Sequence, residues 1–247
     1  MNCAMDRKLD DQFALAWYNL GGDFSYMFSK KVLAYCKKTG FKPKNVLDVY
    51  CGAGNFLAEM QKAGLKCVGT EGSQAFIKFN QQNHSGIEFL HTNALNVFNT
   101  KEKFDLITCI YDLVNYMETY NEWQLFFANA YKQLNKGGKL MFDYNTVKRL
   151  KNWDTVVYEQ SSDMDYVQSV KPNVQGKTVI NYIYYLKNAS NKYHKTSAIY
   201  TETAFETAKV LEALKKAGFK DIQLCDFSLN PVANPDLRNK VHIIATK

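Results

Sequence analysis

The chain has 247 residues, 46% of them hydrophobic, enough to bury a sizeable core in one large domain or in one domain with an elaboration. With 4 prolines and 13 glycines the composition is neither low-complexity nor disordered, and no apolar run approaches the roughly 20 residues of a membrane helix. The net charge is +7, but the lysines are dispersed and the longest basic runs are pairs such as Lys37–Lys38 and Lys215–Lys216, the pattern of a solvated surface rather than a nucleic-acid footprint.

The start, "MNCAMDRKLDDQF", has no apolar stretch of the signal-peptide kind, so a cytoplasmic location is expected. "DDQFALAWYNL" predicts a helix ending at Gly21–Gly22, and "FSYMFSKKVLAYCKKTG" a second one with a basic last turn and a stop at Gly40. Strands then alternate with helices: "NVLDVY", helix "GNFLAEMQKAG", "LKCVGTE", helix "SQAFIKFNQQN" with Ser73 as cap, "IEFL", "FDLITCI", helix "NEWQLFFANAYKQLNKGG" with Asn121 as cap and Gly137 as stop, and "KLMFDY". This rhythm predicts βαβ units around a parallel sheet. From Trp153 to Tyr200 the rhythm gives way to alternating runs with no helix between them, an antiparallel patch of about four strands in which "NVQGK" is a hairpin turn. Tyr182 and Tyr184 fall on one face of it and Tyr185 on the other. A helix capped near Thr203 and stopped at Gly218 follows, then "DIQLCDF" and "KVHIIATK", joined by a loop too short for a helical crossover and so expected to be antiparallel neighbours. Six cysteines without a CxxC pair read as reduced, packed thiols, and with four scattered histidines no metal site is expected.

The chemistry concentrates in "NVLDVYCGAGNF": a strand end, a glycine turn and a helix start. Ligands of open α/β sheets bind beyond the carboxyl ends of the strands, and Gly52 and Gly54 let one approach the backbone. The third glycine of a dinucleotide fingerprint is replaced by Leu57, which argues against a nicotinamide cofactor. Asp48 would repel phosphate and suits a cation. Glu71, at the end of the second strand, can accept both hydroxyls of a ribose, and Asn93 in "HTNAL" can both donate to and accept from an adenine edge. A cation, a ribose and an adenine without phosphate together describe S-adenosylmethionine.

The successive motifs "VLDVYCGAG", "GTEGS", "TNAL", "FDLITCIYDLVNYM" and "LNKGGKLMFDYNT" resemble those of class I S-adenosylmethionine-dependent methyltransferases over about residues 15–150, and "LEALKKAGFKDIQL" is similar to the last helix and strand of that fold. "FDLITCIYDLVNYM" is similar to a bacterial small-molecule subgroup with an antiparallel insert after the fifth strand, in the style of amino-sugar N-methyltransferases and glycine methyltransferases. The resemblance implies an α/β fold: a Rossmann-like, doubly wound, seven-stranded sheet, mostly parallel with one antiparallel strand, plus a small antiparallel β insert. It divides the chain into N-terminal helices and cofactor core (1–150), a β lid (151–202) and a completion of the core (203–247). It also implies that Asp48, Tyr50, Cys51 and Gly52 surround the methionine moiety, that Gly54 turns into the helix, that Glu71 holds the ribose, that Gly72, Ser73, Asn93 and Ala94 line the adenine, and that Ile110 and Tyr111 lie under the sulfonium. Tyr50 departs from the small residue usual in its place, and Asn93 from the commoner Asp. Tyr18, in the N-terminal helical region, could offer its ring to the sulfonium or simply pack in the core.

The expected activity is methyl transfer to a small-molecule acceptor, at nitrogen or oxygen, by in-line displacement, with S-adenosylhomocysteine as product and no metal. Asp112, Asn115 and Tyr116 in "YDLVNY" are the candidates for aligning or deprotonating the acceptor, against a plain role as caps or turn residues. Tyr144, Asn145 and His194 are weaker candidates. A nucleic-acid methyltransferase is the main alternative, but the Asn/Asp-Pro-Pro-aromatic motif of exocyclic-amine enzymes is replaced by "CIYDLVNY". A non-catalytic cofactor-binding protein is the other. The expected partners are a small-molecule substrate, no membrane, and at most a second copy of the chain, as monomer or homodimer.

Overall fold

Strands that are covered on both faces read as short unbroken apolar runs, and those runs form the centre of this chain. The computed structural model describes residues 9–92, 95, 102–174 and 176–247. Its elements run α1 (Asp11–Thr39), β1 (Asn45–Val49), α2 (Asn55–Lys62), β2 (Lys66–Glu71), α3 (Gln74–Asn83), β3 (Glu88–His91), β4 (Phe104–Cys109), α4 (Tyr120–Gln133), β5 (Leu134–Asn145) and α5 (Val147–Asn152). The lid strands β6 (Thr155–Gln160), β7 (Met164–Val174), β8 (Lys177–Lys187) and β9 (Tyr193–Glu202) follow, then α6 (Thr207–Ala217), β10 (Lys220–Cys225) and β11 (Lys240–Thr246).

Seven strands form one sheet in the order β10-β11-β5-β4-β1-β2-β3. β11 runs antiparallel to both of its neighbours, while β1 to β5 pair in parallel. Alternation sends successive side chains of β1 to opposite faces: Leu47 and Val49 join Trp123, Phe126 and Phe127 of α4 on one side, and Val46 joins Phe28 and Val32 of α1 on the other. A third cluster lies between the start of α1, with Phe13 and Ala14, and the inner face of the lid, with Ile180, Tyr182 and Tyr184. The lid is a four-stranded antiparallel sheet, β6-β7-β8-β9. Among the described residues no helix is long and apolar enough to cross a membrane.

Three boundaries differ from the sequence expectation. The two N-terminal helices are one: α1 continues through Gly21–Gly22. Two helical glycines cost roughly 1 kcal/mol each, and burial of Phe13 on one side and Phe28 on the other, each worth about 1.5–3 kcal/mol, outweighs that. Gly22 also leaves room for Asn55, whose amide donates to the Tyr18 carbonyl at 2.9 Å. Helix α4 is capped by Thr119, not Asn121, through a reciprocal box with Glu122, and it ends at Gln133. Helix α6 begins at Thr207, because Thr203 is tied elsewhere: its amide donates to the Asn115 carbonyl and its hydroxyl to the Met117 carbonyl, both at 2.8 Å.

Candidate active site

The chain runs outward from β1 through β2 to β3 and then returns to β4 on the other side of β1. That reversal opens a crevice beyond the carboxyl ends of β1 and β4, the usual ligand position in such sheets. A cavity lies there. Its lining includes Asp48, Tyr50, Cys51, Gly52, Glu71, Ser73, Ile110 and Tyr111, all expected from the sequence. Trp17 and Ser25 of α1, Phe76 of α3, Leu113 and Tyr116 from the 3-10 turn after β4, and Tyr200 of the lid complete the wall, together with Leu9, Ala53, Asn55 and Phe56.

The glycine turn is built for close approach. Tyr50, Gly52 and Gly54 have φ of 59°, 52° and 76°. A Cβ on Gly54 would meet the His84 ring at 2.9 Å, so the position takes no side chain. Tyr50 accepts a left-handed backbone that costs roughly 1–2 kcal/mol, but its ring is 2% exposed in the core, and such burial returns about 1.5–3 kcal/mol. Glu71 organises the floor: one carboxylate oxygen accepts from the Gly52 amide at 3.0 Å and the other from the Ser73 amide at 2.9 Å. Burial raises its carboxyl above the ordinary range, against the pull of those donors. The Ser73 hydroxyl is buried and has no protein partner, a polar atom open to a ligand.

Asp48 accepts the Thr108 hydroxyl at 2.6 Å. Burial lifts its carboxyl to about 7, Glu71 adds to the rise and the Thr108 bond opposes it. The unfolded chain loses this proton near pH 4 while the folded chain keeps it, so stability falls as pH rises from about 4 to 7. Asp48→Asn keeps the oxygen that Thr108 needs. The variant is therefore expected to gain on the wild type by a few kcal/mol (order of magnitude) between pH 4 and 7 in urea melts, and to hold that gain above pH 7. Parallel stability curves would show that Asp48 is ionised in the fold.

Behind the cavity, Tyr111 and Asp112 form a turn with two successive left-handed residues, φ 75° and 53°. Asp143 of β5 holds it, accepting from the Tyr111 amide at 2.7 Å and the Asp112 amide at 3.0 Å. Lys240 of β11 bridges the carboxylates of Asp112 at 2.5 Å and Asp143 at 2.9 Å. Asp112 also accepts from the Asn145 amide at 2.8 Å. The Asn115 side chain accepts from the Asn145 backbone and donates to the Asn145 and Thr203 carbonyls.

A model of the methyltransferase domain matches residues 25–224. The chain belongs to that family. It is a class I, S-adenosylmethionine-dependent methyltransferase. It is similar to a Geobacillus sp. (strain WCH70) protein assigned by name to the methyltransferases, 23% identical over 212 residues, covering 83% of this chain and 85% of that one. Its fold resembles an S-adenosylmethionine-dependent methyltransferase of Clostridium acetobutylicum, with a TM-score of 0.80, 17% identity and coverage of 95% of this chain and 97% of that one. It also resembles the sugar N-methyltransferase KedS8 of Streptoalloteichus sp., with a TM-score of 0.76, 16% identity and coverage of 94% and 91%.

Several sequence-nominated residues of the methyltransferase lie away from the cavity lining. Tyr18 is turned outward onto Phe79 and His84, and its neighbour Trp17 faces the cavity instead. Gly54 is the N-cap of α2, and the Gly72 carbonyl is engaged by the His91 ring at 2.9 Å. Asp112 and Asn115 build the turn with their side chains already bonded, and Tyr116 is the one of that trio on the wall. The Tyr144 hydroxyl pairs with Thr207 at 2.7 Å on the far face of the sheet, and His194 is exposed, 3.6 Å from Asp10. Asn93 and Ala94 lie outside the described residues. Trp17, Asp143 and Lys240 were not nominated. The signal for Asp143 was present as a lone carboxylate in an apolar strand, "LMFDY".

Proposed function

We propose that this methyltransferase alkylates the amine of a small, sugar-like acceptor. The observation that carries the reading is the chemistry of the acceptor end of the cavity. Among the described residues the carboxylates of the lining are Asp48 and Glu71, both at the donor end of the crevice, and the lid side offers Tyr116 and Tyr200. Burial pushes the Tyr116 hydroxyl well above its ordinary range, so it stays un-ionised at neutral pH, and the Asp112 carboxylate is paired with Lys240. An alcohol would need a free base here. A neutral amine already carries its lone pair and needs alignment and exclusion of water. The likeness to a sugar N-methyltransferase supports the same acceptor class.

S-adenosylmethionine supplies a methyl group on a sulfonium, activated for in-line displacement. Glu71 and the Ser73 hydroxyl are the acceptors we assign to its ribose and adenosine edge, and Asp48 the counter-charge to its cationic part. Trp17, Tyr111, Tyr116 and Tyr200 enclose the path of the methyl group and keep water out. Titration with S-adenosylmethionine in two buffers of different ionisation enthalpy tests the donor side: a cation beside Asp48 lowers its pKa, so binding at pH 7 should release a proton, and Asp48→Asn should abolish the release. Transfer of a labelled methyl group to a panel of amino sugars, hydroxyl-only sugars and RNA tests the acceptor side. Label is expected in the amino sugars alone, and label in either other class would overturn the reading.

A further inference from the structure

Glu202, the last residue of lid strand β9, is fully buried against the core. One of its carboxyl oxygens accepts from the Asn145 amide nitrogen at 2.9 Å, and that same nitrogen donates to Asp112 at 2.8 Å. A single amide therefore joins the end of the lid to the left-handed turn that presents Tyr111 to the cavity. The lid end is clamped a second time through the next residue, Thr203, whose amide and carbonyl both bond to Asn115. We propose that Glu202 is a positioning residue for this enzyme: through Asn145 and Asp112 it fixes the Tyr111 wall, so that the seating of the lid sets the affinity of the methyl-donor site.

The inference rests on the donor site assigned above. Groups facing Glu202 include Asp112 and Tyr116 from the turn after β4, Arg149 from α5, Tyr182 from β8 and Lys240 from β11, with Asp143 behind Lys240, and Glu202 shares a cavity wall with Lys151 of α5 and with the ion pair of Glu118 and Lys177. Burial and the charge of Asp112 hold the Glu202 carboxyl well above the ordinary range. Ionisation of Glu202 would set a further carboxylate beside Asp112, which already shares Lys240 with Asp143.

The test is titration of the full chain with S-adenosylhomocysteine across pH, on wild type, Glu202→Gln and Glu202→Ala, with thermal midpoints in parallel. Glutamine mimics the un-ionised carboxyl and should bind within about threefold of wild type on the acid side of the Glu202 titration, whereas alanine should weaken binding about tenfold. As pH rises through the raised Glu202 value the wild type should lose affinity relative to Glu202→Gln, which has nothing to ionise. An alanine variant with a lowered thermal midpoint but wild-type affinity would reduce Glu202 to a stabilising contact and overturn the proposal. So would a glutamine variant that follows the wild-type pH profile, a result that decides the matter even where the alanine variant does not fold. Failure of the wild type itself to bind S-adenosylhomocysteine would instead overturn the donor-site reading, and this proposal with it.

Discussion

Glu71→Ala is expected to weaken S-adenosylmethionine and S-adenosylhomocysteine by roughly two to four orders of magnitude in calorimetric titration. A hydrogen bond to a charged group contributes about 1.5–3 kcal/mol net, and the two that Glu71 is proposed to make to a ribose give about 3–6 kcal/mol, or roughly 10²–10⁴-fold. The structure adds a second effect. Both carboxylate oxygens already accept backbone amides, from Gly52 and from Ser73, so alanine leaves two donors facing an empty space. Each orphaned donor costs about 1–3 kcal/mol, and the ligand-free variant should melt earlier as well. Glu71→Gln separates the two effects poorly by design of the site: one of its two terminal atoms becomes an N–H group set against a backbone N–H. It should therefore also lose affinity, though less than alanine. Unchanged affinity in the alanine variant would remove Glu71 from the binding site and with it the assignment of the cavity to the methyl donor.

The parts of this enzyme that were legible in sequence share a property: their cause is local. Parallel strands buried on both faces give unbroken apolar runs, so "NVLDV" and "FDLITC" announce themselves, and the glycine turn between β1 and α2 shows its backbone need in its composition. The antiparallel lid was visible because alternation at a period of two places Tyr182 and Tyr184 inward. What was hidden depends on distance along the chain. Lys240 reaches Asp112 across 128 positions, and nothing near "NKVHII" indicates a partner. Trp17 and Tyr18 are adjacent aromatics about 100° apart on one helix, and which of them faces the cavity is decided by how α1 lies on the sheet, not by either residue's surroundings in sequence. Thr119 is a different kind of miss: the spacing Thr-x-x-Glu was there to be read, and Asn121 attracted the cap because it lay closer to the apolar stretch.

The largest loss of stability is expected from Asp143→Ala. The side chain is fully buried and does three things together: it accepts the amides of Tyr111 and Asp112, and it shares Lys240 with Asp112. Its removal frees two consecutive left-handed residues from the group that holds them and leaves two amides and part of an ammonium unpaired. Breaking one partner out of a buried ion pair costs about 3–5 kcal/mol, a large part of the roughly 5–15 kcal/mol available to a folded chain. The pH dependence identifies the cause. Burial by itself would raise the Asp143 carboxyl, but Lys240, His242 and the turn amides outweigh it and hold the group below the ordinary carboxylate range. An acid whose pKa is lowered by folding stabilises the fold above its unfolded pKa, near 4, and that contribution is lost as pH falls through the lower folded value. Urea melts should therefore show a gap between wild type and Asp143→Ala that is constant above about pH 4 and narrows in more acidic solution. Because the same substitution releases Tyr111 from its place on the wall, affinity for S-adenosylhomocysteine should fall with it, under conditions where the variant remains folded. A variant that melts like the wild type would mean that the turn is held by Lys240 and Asn145 alone, and a gap that persists unchanged into acid would assign the loss to packing rather than to charge.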